Sequence, residues 1–363
     1  MNKTIYVGMS GGVDSSVAAA LLKQQGYNVV GVYMKNWSQD LPGMPCTWQD
    51  DYQDAKRVAV QLGIDFKVYD FETEYRQKVV NYMLAEYTAG RTPNPDIMCN
   101  QEIKFKLFLE TALQDGADMI ATGHYARVVK SQKSKVESSG PSTYNFRLLV
   151  AANADKDQTY FLYRVTAEAL SRTLFPVGEF STKAVVRSLA KKMGLATAEK
   201  KDSQGICFVG KVGIKDFLMH ELGTQMPGDI IDQSGQSIGK HDGAIFYTIG
   251  QRHGLEVGGG LPYYVTGKDM TKNEVYVTNN LQDNKLWHAQ ISLTDLHWID
   301  ISSQKSKVKS QKLQVRLRYR APLVGCDLEG TTLRLIEPVR AVTPGQSAVF
   351  YSDDQVLGGG IVI

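Results

Sequence analysis

Three short stretches of this chain bring together residue types that can do chemistry. The first is Ser10-Gly11-Gly12-Val13-Asp14-Ser15, which follows the apolar run Ile5-Tyr6-Val7 and precedes an alanine-rich helical pattern from Val17 to Leu22. That order reads strand, glycine turn, helix, and such a turn aims unpaired backbone N–H groups at a ligand from the positive end of a helix. Gly11 and Gly12 permit positive φ and close backbone approach. Ser10 and Ser15 can add hydroxyl donors, and Asp14 can fix the turn or face a metal ion. The natural guest is a phosphate group. The second stretch is Thr92-Pro93-Asn94-Pro95-Asp96-Ile97-Met98-Cys99-Asn100. Its two prolines stiffen a loop that leads into a helix expected from Lys104 onward, and a thiol near a helix N-terminus gains thiolate character. The third is Lys200-Lys201-Asp202-Ser203-Gln204-Gly205-Ile206-Cys207-Phe208. Lysines close in sequence could lower the pKa of Cys207, while Ile206 and Phe208 equally suit a buried strand cysteine.

The glycine turn is not the commoner phosphate loop. A Walker loop requires G-x-x-x-x-G-K-[ST], with a lysine reaching the outer phosphates. Here Gly8 and Gly11 are too close together, and no lysine follows Gly11-Gly12. The dinucleotide pattern G-x-G-x-x-G does not fit either.

The elements that must position these residues alternate. Candidate strands are Thr4–Met9, Val29–Met34, Phe66–Asp70 and Met119–Gly123; candidate helices are Ser16–Gln25, Asp50–Leu62, Glu72–Ala89 and Lys104–Leu113. Repeated strand–helix units of this kind predict a Rossmann-like, doubly wound parallel sheet with ligands at the carboxyl ends of its strands. The Gly11-Gly12 loop, Met34 and Gly123-His124 all fall at such ends. Arg127–Lys130 and Arg147–Ala151 read as the arms of a hairpin around the polar word Ser131-Gln132-Lys133-Ser134-Lys135-Val136. The same word recurs at Ser303–Val308, and both copies read as solvated loop-tip insertions. From about residue 206, glycine-rich turns divide short segments into a small mixed or mostly β module. From about residue 285, alternating runs such as Leu313–Tyr319 predict an antiparallel barrel or sandwich. Within it, the alternation of Arg316, Arg318 and Arg320 would put three cations on one strand face, opposite Tyr319. The expected domains are 1–205, 206–282 and 283–363.

The length of 363 residues and an apolar content of 43% suit two or three domains with real cores. No apolar stretch is long enough to span a membrane, and Met1–Thr4 run directly into the first strand, leaving no room for a signal peptide. Cys46, Cys99, Cys207 and Cys326 form no CxxC pair, which argues against a structural metal or a disulfide scaffold and for a reducing cytoplasmic location. A net charge of +3 permits nucleic-acid binding through local patches without predicting it.

The glycine turn resembles the pyrophosphate (PP) loop of the ATP pyrophosphatase superfamily. The chain as a whole resembles the tRNA-specific 2-thiouridylase family, which installs sulfur on the wobble uridine of certain tRNAs. The likeness runs in order through Gly8–Ser15, Met34-Lys35-Asn36-Trp37, Gly90–Asp96, Gly123-His124-Tyr125, Lys156-Asp157-Gln158, Asp202–Phe208 and Thr343–Ala348. The resemblance implies that Gly8, Met9, Ser10, Gly11, Gly12, Val13, Asp14, Ser15, Met34 and Gly123 hold ATP, with Mg²⁺ arriving transiently beside the nucleotide and no resident metal. It implies that Asn94, Pro95 and Asp96 meet the target base. His124, Lys156, Asp157, Gln158, Arg318, Tyr319 and Gln346 would touch tRNA. Cys99 would be the nucleophile, and Cys207 the persulfide carrier, able to pair with Cys99 transiently as a disulfide. Asp96 would serve as acid or base, or orient the base. An upstream persulfide donor protein is the implied partner. Cys46 and Cys326 match no such role. Trp37 and Tyr125 could stack on a flipped base, but core aromatics are the simpler reading. An ATP-dependent amidotransferase of the same superfamily, or a tRNA-binding module without turnover, are the alternatives.

Overall fold

The computed structural model describes residues 2–40, 46–130, 146–202, 213–258, 260–300 and 313–363. The first region is built from β1 (Thr4–Gly8), α1 (Val13–Gln24), β2 (Asn28–Lys35), α2 (Trp48–Leu62), β3 (Asp65–Asp70), β4 (Met119–Thr122), β5 (Arg127–Lys130), β6 (Phe146–Leu149) and β7 (Thr173–Leu174). Five of these strands form a parallel sheet in the order β3-β2-β1-β4-β7. The chain therefore winds outward from β1 to β3, then returns to the other side of β1. The carboxyl ends of β1 and β4 mark the reversal, the place where open α/β sheets bind ligands. Small residues explain why α1 sits so close to the sheet: Val17, Ala18 and Ala19 are fully buried and Ala20 nearly so.

Two long helices cross between β3 and β4. One runs through Glu72–Tyr75, Arg76–Val80 and Asn81–Thr88, the other through Pro95–Met98, Cys99–Leu107 and Phe108–Gln114, and the middle segment of each is π-helical. The second helix thus starts at Pro95, well before the expected Lys104. Proline at the first helical position loses no hydrogen bond and arrives with a helical φ, and Asn94 stands before it in extended conformation. Asp96, not Cys99, occupies the first turn. Cys99 lies one turn further in and is fully buried, so the argument for a thiol at the positive helix end does not carry over.

A mixed four-stranded sheet follows, with β8 (Gly228–Ile231), β9 (Ser237–His241), β10 (Tyr264–Asp269) and β11 (Glu274–Thr278) in the order β10-β11-β8-β9. Only β11 and β8 are parallel. The last region contains β12 (Trp287–Trp298), β13 (Gln314–Arg316), β14 (Val324–Glu329), β15 (Thr332–Arg340), β16 (Ser347–Ser352) and β17 (Gln355–Val362). These six close into an antiparallel barrel because the twelve-residue β12 pairs β15 along its first half and β17 along its second. The expected barrel is present.

The hairpin β5–β6 also forms, and it docks onto the barrel: Leu148 and Leu149 pair with Val356 and Gln355 of β17. One buried cluster accordingly includes Ile103 and Phe105 from the helix after Pro95, Leu148 and Tyr160, Phe217 and Ile245, and Val349, Tyr351 and Val356 of the barrel. The three regions share a core. Both copies of the lysine-serine word, at 131–136 and 303–308, lie outside the described residues.

Candidate active site

At the carboxyl end of β1, Gly11 adopts φ +74°, and a Cβ there would overlap the Asp51 carbonyl of α2. Gly123, at the end of β4, backs directly onto the start of α1, where a Cβ would lie 2.6 Å from Ser15 N. Ser15 ties the turn together: its Oγ accepts from Ser10 N at 3.2 Å and donates to Gly12 O at 3.1 Å. Ser16 Oγ donates to the same carbonyl at 2.8 Å. No side chain caps α1, so the first-turn N–H groups of Val13, Asp14 and Ser15 have no intrahelical acceptor. Unpaired N–H groups at a helix start can receive an anion. Met9 is buried beneath the loop, and Met34 Cε would meet a Cβ at Gly8 at 2.9 Å.

Asp14 fixes the turn. It accepts from Tyr125 Oη at 2.8 Å and, through both oxygens, from Lys183 Nζ at 2.7 and 2.6 Å. Lys183 also reaches Asp202 at 3.0 Å, and Asp202 accepts from Lys156 Nζ at 2.9 Å and Arg187 Nη2 at 2.7 Å. Burial raises the Asp202 pKa, but the hydrogen bonds and charges of Lys156 and Lys183 overcome it and hold the carboxyl down at about 2. Two positions earlier, Lys200 donates to Asp51 at 2.7 Å and to Asp54 at 2.6 Å. The segment 200–202 is therefore ionically tied to both flanks of the glycine turn. Lys183 and Arg187 were not singled out from the sequence, and Lys200 was read only as a neighbour of Cys207. The spacing of Lys183 and Arg187 puts them on one face of a helix, but their distance along the chain from Asp14 hides the link. Among the described residues, no group of three His, Cys, Asp or Glu side chains is placed to hold a metal ion.

The second stretch is held from the barrel side. Thr92 N donates to Pro344 O at 2.9 Å, and Gln346 Nε2 donates to Thr92 O at 2.7 Å. Gly345, at φ +90°, presses against Thr92 so closely that a Cβ would lie 2.9 Å from its backbone. Thr92 Oγ1 also pairs with Thr248 Oγ1 of the middle region at 3.2 Å. All three regions meet at the loop that carries Asn94, Pro95 and Asp96 and opens the helix of Cys99.

His124 pairs through Nδ1 with Thr122 Oγ1 at 2.8 Å and packs against Phe105 and Phe175. Burial, assisted by the charge of Lys104, holds its pKa well below the ordinary histidine range, so at neutral pH it is an uncharged hydrogen-bonding ring. Asp157 is buried and anchors its own loop, accepting from Ala151 N at 2.9 Å and Thr159 Oγ1 at 2.8 Å. Gln158 brackets the backbone of Tyr125: its Oε1 accepts from Tyr125 N and its N donates to Tyr125 O, both at 2.9 Å. Lys156 and Asp157 line a cleft of about 360 Å³ with Ala154, Asp155, Arg316, Tyr319 and Arg320.

The expected row of three arginines on one strand face is absent. β13 ends at Arg316, and the chain turns so that Arg320 takes φ +64°. Arg316 and Arg320 face the cleft together with Tyr319. Arg318 points elsewhere, donating to Ile249 O at 2.7 Å, Ala341 O at 3.0 Å and Thr343 Oγ1. Trp37 and Tyr125 are core aromatics, as the simpler reading had it. Cys46 is half-buried, and Cys326 is buried with its thiol pushed up to about 12 by that burial. Cys207 lies outside the described residues.

Family models match in three consecutive blocks: a tRNA methyl transferase HUP domain over residues 3–211, a tRNA methyl transferase PRC-barrel domain over 215–279, and an aminomethyltransferase beta-barrel domain over 288–362. Among curated proteins, the chain is 46% identical to the tRNA-specific 2-thiouridylase MnmA of Bacillus cytotoxicus over 364 residues, covering 99% of this chain and 94% of the relative. The family is decided. This chain belongs to the tRNA-specific 2-thiouridylase family. MnmA 2 of Geobacillus kaustophilus and MnmA of Bacillus cereus match at the same 46% identity and the same coverage. No helix among the described residues is long and apolar enough to cross a membrane.

Proposed function

We propose that this protein is a tRNA-uridine 2-sulfurtransferase that adenylates the 2-oxygen of the wobble uridine with ATP and replaces it with persulfide-derived sulfur. The reading is carried by the uncapped start of α1, set at the sheet's reversal point between Gly123 and Asp51, in a chain of this family. Gly8 through Ser15, Met34 and Gly123 hold the nucleotide. When bound, ATP supplies a good leaving group for an oxygen that otherwise departs poorly, and Mg²⁺ accompanies its phosphates. Pyrophosphate is released as the oxygen is adenylated, and AMP then departs with that oxygen.

Asn94, Pro95 and Asp96 meet the target base, with Asp96 serving as acid or base or orienting it. Cys207 brings sulfur as a persulfide from an upstream donor protein. Either Cys99 attacks that persulfide to free the nucleophilic sulfur, or the persulfide attacks the activated carbon directly and Cys99 resolves it. Both routes leave a Cys99–Cys207 disulfide, which an external thiol reductant must reopen.

His124, Lys156, Asp157, Gln158, Arg318, Tyr319 and Gln346 serve tRNA binding, some by contact and some by holding the contacting residues in place. Within this set His124 acts as a neutral ring, Lys156 and Tyr319 line the cleft, Arg318 braces Thr343 and Gln346 braces the loop at Thr92. The domains 1–205, 206–282 and 283–363 are kept as functional units, with the protein working in the cytoplasm.

The test is mass analysis of tRNA from cells lacking this protein, complemented with wild type, Cys99→Ser or Cys207→Ser. Wild type restores 2-thiouridine and neither serine variant does. Normal thiolation with either variant would remove the two-thiol mechanism.

A further inference from the structure

The glycine turn has no lysine of its own, yet the fold delivers one. Lys183 is the first residue of the helix Lys183–Lys192, which Thr182 caps by accepting from Val185 N. That cap leaves Lys183 beside the start of α1, where its Nζ bonds both oxygens of Asp14 and sits 3.0 Å from Asp202. The ammonium also lies 5.8 Å from the centre of the Tyr125 ring, and only 15% of the side chain is exposed. Asp202 is in turn fixed by Lys156 and Arg187.

One ammonium shared by two carboxylates, against an uncapped helix start, is charge held where an anion would need it. A polyphosphate at the N–H groups of Val13 to Ser15 would compete with Asp14 for the Lys183 protons. Asp202 would still hold the side chain from the other side.

We propose that Lys183 is the phosphate-directed cation of this nucleotide loop, filling from a distant helix the role a Walker lysine fills from within its loop, and that Asp202 is the positioning carboxylate that holds it there. The proposal rests on the ATP reading above.

Calorimetric titration of inorganic pyrophosphate into the full-length protein tests it directly. Hydrogen bonds to charged groups contribute about 1.5–3 kcal/mol, so Lys183→Met should weaken pyrophosphate binding roughly tenfold or more, with Lys183→Arg recovering part of the loss. Lys191→Met removes the same charge from an exposed position on the same helix and should bind within about twofold of wild type. Asp202→Asn should raise the KM for ATP in tRNA-dependent pyrophosphate release while leaving kcat nearly unchanged, a split that general loosening of the fold would not produce.

On the wild-type protein, saturating pyrophosphate should protect Lys183, but not Lys191, from an amine-acylating reagent read by peptide mass. This arm decides the matter if Lys183→Met does not fold. Wild-type affinity in a folded Lys183→Met, or no protection of Lys183, overturns the assignment. Failure of wild type itself to bind pyrophosphate or ATP would instead overturn the nucleotide reading on which it stands.

Discussion

At the scale of single residues, Gly11 has no substitute. Its left-handed backbone and its closeness to the Asp51 carbonyl mean that Gly11→Ala carries both a conformational penalty of about 1 kcal/mol or more and a steric clash. The expected outcome is a lower melting temperature together with loss of ATP binding, measurable by calorimetry on the same sample. Asp202 makes a different prediction. Its folded pKa of about 2 lies below the unfolded value of about 3.9, so its ion pairs stabilise the fold above pH ~4 and that contribution fades as the pH falls toward 2. Asp202→Asn should therefore unfold more easily than wild type at pH 7, and the difference in denaturant midpoint should shrink between about pH 4 and pH 2. A constant difference across that range would mean that the carboxylate's charge is not what stabilises. Arg318 donates from one nitrogen to three oxygens on two regions. A lysine keeps the charge but not the planar fork, so Arg318→Lys should lower the melting temperature without changing pyrophosphate affinity.

Among elements, the clamp on the loop at Thr92 is the part most open to test. Gly345→Ala would press a methyl group into the Thr92 backbone at a position of positive φ. Thiolation of tRNA should fall sharply while pyrophosphate binding stays near wild type, because the nearest neighbours of a Cβ at Gly345 are all in Thr92 and none is in the glycine turn; equal loss of both would place the damage in the whole fold. Element by element, the sequence was legible where pattern and structure share one cause. Strands β1 to β4 and helices α1 and α2 followed from apolar periodicity, and the barrel from its alternating runs. Three features were not legible for separate physical reasons. Pro93 and Pro95 read as loop residues although Pro95 begins a helix, since proline breaks helix interiors and not their first turn. Arg316 to Arg320 alternate like a strand, but the strand stops and the backbone turns at Arg320, which only its barrel neighbours dictate. The link from Lys183 to Asp14 spans 169 positions, and no local rule connects residues so far apart.

On the scale of the whole molecule, the hairpin β5–β6 belongs by sequence to the first region and by pairing to the barrel. Arg127 Nη2 donates to Asp354 at 3.1 Å, and Val150 N donates to Asp354 O at 2.8 Å, fastening the same junction. Removing the barrel would uncover Leu148 and Tyr160, both fully buried in the shared core, and apolar surface costs about 25 cal/mol per Å² exposed. A chain ended at residue 286 should accordingly lack a cooperative thermal transition and be cleaved rapidly by protease; a sharp transition and protease resistance would show that the first two regions stand alone. The strand that receives the hairpin, β17, begins more than 200 residues after β6 ends. A nascent chain must therefore carry the hairpin's unsatisfied edge until β17 emerges, a risk that invites chaperone capture. The same order of events has a second consequence: a product terminated before Gln346 lacks the brace on the loop at Thr92, so it cannot hold that loop as the full chain does.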